Sequence, residues 1–144
     1  MKVVFLEKPK VFNPKFEVVS CFVRCGDCIL LLHRQDHKPE GNSWGVPAGK
    51  VDQGETIHDA MVRELQEEIG LIASADCLKR HVPTYVTYPE KHFVYHIFEI
   101  ELDKMIDVKL NNEEHKNYEW ATLEDALKKD LILGEDECIE LYYK

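Results

Sequence analysis

Glu64, Glu67 and Glu68 fall at i, i+3 and i+4 within GKVDQGETIHDAMVRELQEEIGL, residues 49–71. That spacing puts all three carboxylates on one side of a helix. At about 100° per residue, Ile57, Met61, Leu65 and Ile69 form the apolar stripe of a core-facing helix. Glu64 and Glu68 do not lie opposite the stripe; they project between Ala60 and Met61 at its edge, with Glu67 just beyond. Such a cluster repels itself, and partial burial adds a cost of several kcal/mol per unpaired charge. Either the acids form an ordinary solvated face, or a cation the chain does not itself supply sits among them. A divalent ion fits: hard carboxylate oxygens suit magnesium, or manganese, better than zinc, and no His or Cys accompanies them at ligand spacing.

The surrounding residues add to this. Gly49, Glu55, Arg63, Glu64, Leu65, Glu67, Glu68, Gly70 and Leu71 fill every fixed position of the Nudix box, which runs Gly, five residues, Glu, seven residues, Arg-Glu, an aliphatic, any residue, Glu-Glu, any residue, Gly, an aliphatic. The stretch therefore resembles the Nudix hydrolase family, a far more specific match than a lone glycine motif. The resemblance implies an α/β fold, an α/β/α sandwich with a mixed β-sheet between helices. It also implies magnesium-assisted attack of water on the diphosphate linkage of a small nucleotide, either a nucleoside triphosphate or a nucleoside diphosphate joined to another moiety.

By the same resemblance Glu64, Glu67 and Glu68 hold the metal, the carbonyl of Gly49 completes its shell, and a ligated water is available as nucleophile. Glu55 and Arg63 become a structural ion pair that steadies turn against helix. The general base is a box carboxylate, Glu64 foremost, or a Glu from a later loop, for which Glu114 is the candidate and Glu113 the fallback. Lys50 and Arg34 are candidate clamps on the pyrophosphate, with an ordinary surface charge as the alternative for each. Many relatives are dimers, which leaves a homodimer open. A non-catalytic nucleotide-sensing module of the same fold is the alternative function, disfavoured because such modules usually lose box acids that are all present here.

Positioning these groups requires elements that the sequence outlines. Thr56 with Asp59 three residues on caps a helix over residues 57–69, and Gly70-Leu71 reads as a left-handed stop with a hydrophobic tether. Phe16 to Cys25 and Cys28 to Arg34 read as an antiparallel pair about a Gly26-Asp27 turn. The polar loop Gln35 to Ser43 then leads into Trp44 to Gly49, expected to cross the sheet's end and deliver Gly49 beside the helix. Val3 to Leu6 is an edge strand at best. Val82 to Tyr88 and His92 to Leu102 read as strands, the second with a phase change that means a bulge or burial on both faces. An acidic loop, Asn111 to His115, precedes Tyr118-Glu119-Trp120-Ala121. Thr122 with Asp125 caps a helix to about Lys129, and a last helix covers Asp136 to Tyr143.

Trp44 reads as packing before base stacking. Tyr85, Tyr88, Pro83 and Pro89 crowd the region where relatives carry substrate cues, and do not decide among them. The seven His residues are scattered with no ligand pair at helix spacing, which makes most of them surface or strand residues.

With 144 residues and 44% hydrophobic content the chain reads as one domain over residues 1–144. A net charge of −9 disfavours binding to long nucleic acid, messenger-RNA cap removal included. A prenyl diphosphate isomerase would need further Cys and Glu placements that are not found. Neither a membrane-length apolar run nor a signal pattern is present, so no membrane partner is expected, and an odd count of five Cys fits a reducing, cytoplasmic setting. Cys25-Gly26-Asp27-Cys28 resembles half a zinc knuckle without its second half, and reads as a hairpin turn.

Overall fold

Successive side chains of a strand point to opposite faces of a sheet, and the longest strands here are apolar on both. The computed structural model describes residues 1–143. Its elements run β1 (Val4–Phe5), β2 (Pro14–Cys25), β3 (Cys28–Arg34), β4 (Trp44–Gly45), β5 (Ala48–Lys50), α1 (Ile57–Ile69), β6 (Lys79–Arg80), β7 (Thr84–Thr87), β8 (His92–Glu101), β9 (His115–Thr122), α2 (Leu123–Leu127) and α3 (Glu135–Tyr143), with a 3₁₀ turn at Ala75–Cys77. The strands join in one sheet in the order β1-β7-β8-β2-β3-β4, with β5 on β2, β6 on β8 and β9 on β3. β2 and β8 pair in parallel at the centre and the other pairings are antiparallel.

Alternation divides the core into two layers. Val19, Cys21, Val23, Leu30, Leu32, Phe98 and Ile100 pack under Met61, Leu65 and Ile69 of α1. Phe22, Ile29, Leu31, Phe93, Tyr95 and Ile97 face the other way, against Ala126 of α2 and Cys138 and Ile139 of α3. The result is a mixed sheet between helices, as expected. The apparent phase change in β8 is burial on both faces: Phe93, Tyr95 and Ile97 serve one layer, Phe98 and Ile100 the other.

β2 and β3 meet directly only at Arg24↔Ile29 and Cys25↔Cys28, next to a turn whose Gly26 has φ +58°. That positive φ is the reason for glycine there. The Cys25 and Cys28 thiols are free, Cys21 and Cys138 are buried in opposite layers, and no zinc set assembles among the described residues. Beyond the turn the two strands diverge, and the segment from Trp44 to Lys50 enters between them. β4 pairs with β3 through Leu32↔Gly45, whereas β5 pairs with β2 through Val19↔Gly49. This corrects the expectation that the segment crosses the sheet's end. Pro47, with no N–H to give a ladder, separates β4 from β5, and its carbonyl accepts from Cys21 N at 3.0 Å. Gly49 is thereby fixed inside the sheet beside α1.

Helix α1 has the ends the sequence specifies. The Thr56 hydroxyl accepts from Asp59 N at 3.1 Å, Gly70 is left-handed at φ +73°, and Leu71 N donates to Leu65 O at 3.3 Å. Elsewhere boundaries move: β2 starts at Pro14, α2 stops at Leu127, and α3 starts at Glu135. No helix is long and apolar enough to cross a membrane among the described residues.

Candidate active site

Met61, Leu65 and Ile69 are fully buried, and the stripe carries two acids inward with it: Glu64 is 8% exposed and Glu68 7%. Glu67 stays exposed. Burial of each apolar side chain contributes roughly 1.5–3 kcal/mol. The three together can carry the several kcal/mol that partial desolvation of a carboxylate costs.

The Glu64 carboxylate lies against Gly49, where a β-carbon would overlap its carboxyl carbon and both oxygens. Arg63 organises the acids around it. Its Nε and Nη2 donate to the two oxygens of Glu55 at 2.8 and 3.0 Å, and Nη1 donates to Glu64 at 2.8 Å and to Glu67 at 3.2 Å. Nη2 also donates to the carbonyl of Lys50 at 3.0 Å, and Asp52 N donates to Glu55 at 3.0 Å. One planar guanidinium thus ties the turn to the helix through parallel bonds. Bonds from Arg63 and then from Asp52 N hold the Glu55 carboxyl below its usual range.

The buried acids move the other way. Burial raises Glu64 despite its bond to Arg63. Glu68 is pushed up to about 8, by burial first and then by the charges of Glu64 and Glu114, with Arg34 opposing. Facing it is His115, 4% exposed, whose Nδ1 stands 3.7 Å from Glu68 Oε2. Burial and the charge of Arg34 take that imidazole down to about 4, so it is neutral.

Those features test the fit of a divalent ion. The donors are carboxylate oxygens with a glycine carbonyl beside them, the hard set that suits magnesium or manganese. Residue 49 must lack a side chain for Glu64 to stand there, and Glu68 is costly to ionise while nothing positive adjoins it closely. Glu64 and Glu67 are turned onto Arg63, so among the described residues no three acidic, His or Cys side chains stand at ligand spacing as arranged. An ion held by both would need them to share or leave the guanidinium.

A cavity of about 500 Å³ opens on the acids. Gly49, Lys50, Glu64, Glu67, Glu68, Arg34 and Glu114 all line it. Another part of the wall is aromatic: Phe16 and Phe93 stack at 5.3 Å between centroids and Tyr88 meets Phe93 edge-on at 5.4 Å. Lys50 Nζ stands 4.3 Å from the Phe16 centroid and Lys91 Nζ 5.7 Å. The same space offers an apolar aromatic surface, two ammonium groups and a carboxylate cluster. Such a space takes a ligand with a flat ring and an anionic tail whose charge a metal would neutralise.

The structure sorts the remaining sequence candidates. Glu55 and Arg63 are not on the cavity wall, and neither is Glu113. Glu114 is, with Lys38 Nζ 3.1 Å from its Oε1. Arg34 lines the cavity while its Nε donates to Pro39 O at 2.9 Å. Trp44 is away from the cavity, stacked on His33 at 4.2 Å with Lys129 Nζ 4.4 Å from its ring. Tyr88 lines the cavity and donates to Leu133 O at 2.7 Å, whereas Tyr85 packs edge-on to Phe12 at 5.4 Å. Phe16, Lys91, Glu135 and His115 escape sequence reasoning. Glu135 is an acid 3% exposed at the start of α3, also on the cavity wall, and His115 is a strand residue as expected, but a buried one that faces Glu68.

A family model described as the NUDIX domain matches residues 14–142. The chain belongs to the Nudix hydrolase family. Among Nudix relatives, the CTP pyrophosphohydrolase of Escherichia coli (strain K12) is 27% identical over 128 residues, covering 88% of this chain and 90% of that one. The MutT NUDIX hydrolase of Burkholderia pseudomallei superposes with a TM-score of 0.77 at 22% identity, covering 90% and 98%. A bifunctional NMN adenylyltransferase/ADP ribose pyrophosphatase of Francisella tularensis, complexed with AMP and a manganese ion, superposes with a TM-score of 0.73 at 22% identity. It covers 90% of this chain, which spans 41% of that one. At these identities the two solved structures establish the Nudix fold.

Proposed function

We propose that this Nudix hydrolase is a divalent-metal-dependent pyrophosphohydrolase. It cleaves the diphosphate linkage of a small nucleotide, a nucleoside triphosphate or a nucleoside diphosphate linked to another moiety, by attack of water at phosphorus. One observation carries the reading: the box acids share a single cavity with an aromatic wall and two lysines. The relative named for CTP and the neighbour holding AMP and manganese support it.

Glu64, Glu67, Glu68 and the Gly49 carbonyl would hold magnesium, with manganese as a substitute. When bound, the ion neutralises charge developing on the phosphate oxygens and makes water more acidic. Phe16 and Tyr88 receive the base, and Lys50, Lys91 and Arg34 bind the phosphates. Arg63 and Glu55 act as scaffold, holding Lys50 and the acids in place. The proton of the attacking water passes to Glu64 or Glu114. Replacement of the true base removes the acidic limb of the pH–rate profile, and replacement of the other leaves it.

The test is hydrolysis of a nucleotide panel in ¹⁸O-water with magnesium, the products analysed by mass spectrometry. One labelled oxygen on a product phosphate is the expected result. Unlabelled phosphate, or no turnover of any nucleotide, would overturn the proposal.

A further inference from the structure

The metal site proposed above leaves the buried His115 unused. His115 opens β9, where Arg34 is its register partner and its own N–H donates to Asn111 O at 2.9 Å. The backbone is held further by Gln35 N, which donates to the carbonyl of the preceding Glu114 at 3.0 Å. The ring is 4% exposed, and its Nδ1 is sealed from solvent with no hydrogen-bond partner among the described residues. A buried nitrogen left unpaired destabilises the fold. Such groups in a native fold call for an explanation, and a bound ion is one. What Nδ1 faces is Glu68 Oε2, 3.7 Å away and just beyond hydrogen-bond range.

We infer that His115 is a positioning residue for the metal site: its Nδ1–H donates to one oxygen of Glu68 and so aims the other at the ion. Three observations meet in this pair. The group that the sealed Nδ1 faces is the Glu68 carboxylate, an acceptor for an N–H on that nitrogen. Glu68 carries no hydrogen bond from Arg63, which serves Glu64 and Glu67 instead, so of the three box acids it alone lacks that fixed donor. Finally, the gap is a few tenths of an ångström from a bond, within the movement of a carboxylate that turns toward an ion. Outer partners of this kind orient ligands, and their loss typically weakens metal binding 10- to 100-fold.

The inference rests on the metal reading, and the test separates the two. Manganese is titrated into the full chain, followed by electron paramagnetic resonance, for the wild type, His115→Asn and His115→Gln. Asn places an amide N–H near the position of Nδ1 and Gln near that of Nε2, while the two variants are alike in polarity. Expected are manganese binding by the wild type, affinity within about threefold in His115→Asn, and a loss of at least tenfold in His115→Gln. Equal affinity in the two variants, whether retained or lost, overturns the positioning role, whereas a wild type that binds no manganese overturns the metal site itself. Should either variant fail to fold, ¹⁵N-edited NMR of the wild-type ring with magnesium decides. A proton on Nδ1 supports the assignment and a proton on Nε2 overturns it.

Discussion

The Glu64 carboxylate occupies the space that a β-carbon on residue 49 would fill. β5 brings Gly49 into register with Val19 and α1 brings Glu64 to the same place, so two elements distant in pairing converge on one contact. Gly49→Ala is expected to displace Glu64 while leaving the hydrophobic layers untouched. A misplacement near 1 Å in such a site costs about 100-fold in rate. The variant should melt close to the wild type and lose about 100-fold or more in kcat/KM; wild-type turnover would disprove the placement.

The raised Glu68 carboxyl would give the proposed metal binding a pH dependence of defined sign. Its ordinary value of 4.5 rises to about 8 in the folded chain, by burial first and then by its acidic neighbours. The metal-free fold therefore keeps a proton that the unfolded chain has lost, and stability falls as pH rises through that window. An ion must displace this proton, so its affinity grows with pH up to about 8. Thermal melts with and without saturating magnesium should show a larger increase at about pH 8.5 than at about pH 6. A constant or shrinking increment contradicts the assignment of Glu68 to the metal.

Arg63 is predicted to resist conservative replacement. Its guanidinium serves both oxygens of Glu55, one each of Glu64 and Glu67, and the carbonyl of Lys50. An ammonium cannot present that fork. In denaturant titrations Arg63→Lys should lose about 2 kcal/mol, and its KM should rise because Lys50 is no longer fixed. Unchanged stability together with unchanged KM would show the network to be incidental.

Glu135 supplies a pH effect away from the box. It is 3% exposed, its Oε1 accepts from Val46 N at 3.3 Å, and burial pushes its carboxyl up from 4.5 to about 7. Here too the raised value means stability intact below about pH 4.5 and declining as pH rises toward 7. Glu135→Gln keeps the acceptor and removes the ionisation. It should match the wild type at about pH 4.5 and exceed it at about pH 8 by an amount on the order of 2–3 kcal/mol. Parallel stability curves for the two proteins would show that the wild-type carboxyl is not strained by burial.

Local chemistry made α1 legible to the residue. Thr56, Asp59 and Gly70 act over one turn each, and the box acids follow the same 3.6-residue period that buries Met61 and Leu65. The sheet between helices was legible from the box, and burial on both faces from the phase change in β8. The entry of Trp44 to Lys50 between β2 and β3 was not, because no residue there encodes which of two strands it will pair with; only the divergence of β2 from β3 does so. His115 and Lys91 were invisible for a related reason. Each is a lone polar residue in a polar stretch, and only tertiary folding sets one against Glu68 and the other beside Phe16. Trp44 shows the converse, since an aromatic just before the box belongs to the packing of His33 and Lys129 rather than to the cavity.

If the buried acids of α1 hold the ion, phosphate chemistry depends on Glu68. The most direct measurement is magnesium-dependent turnover of the best nucleotide substrate by Glu68→Gln against the wild type, at matched fold by circular dichroism. Expected is a loss of kcat of at least about 100-fold on replacing a group that contributes to transition-state charge stabilisation, with weaker manganese binding alongside. A Glu68→Gln protein that hydrolyses at the wild-type rate, or a wild type whose turnover is indifferent to chelation of divalent metal, would contradict it.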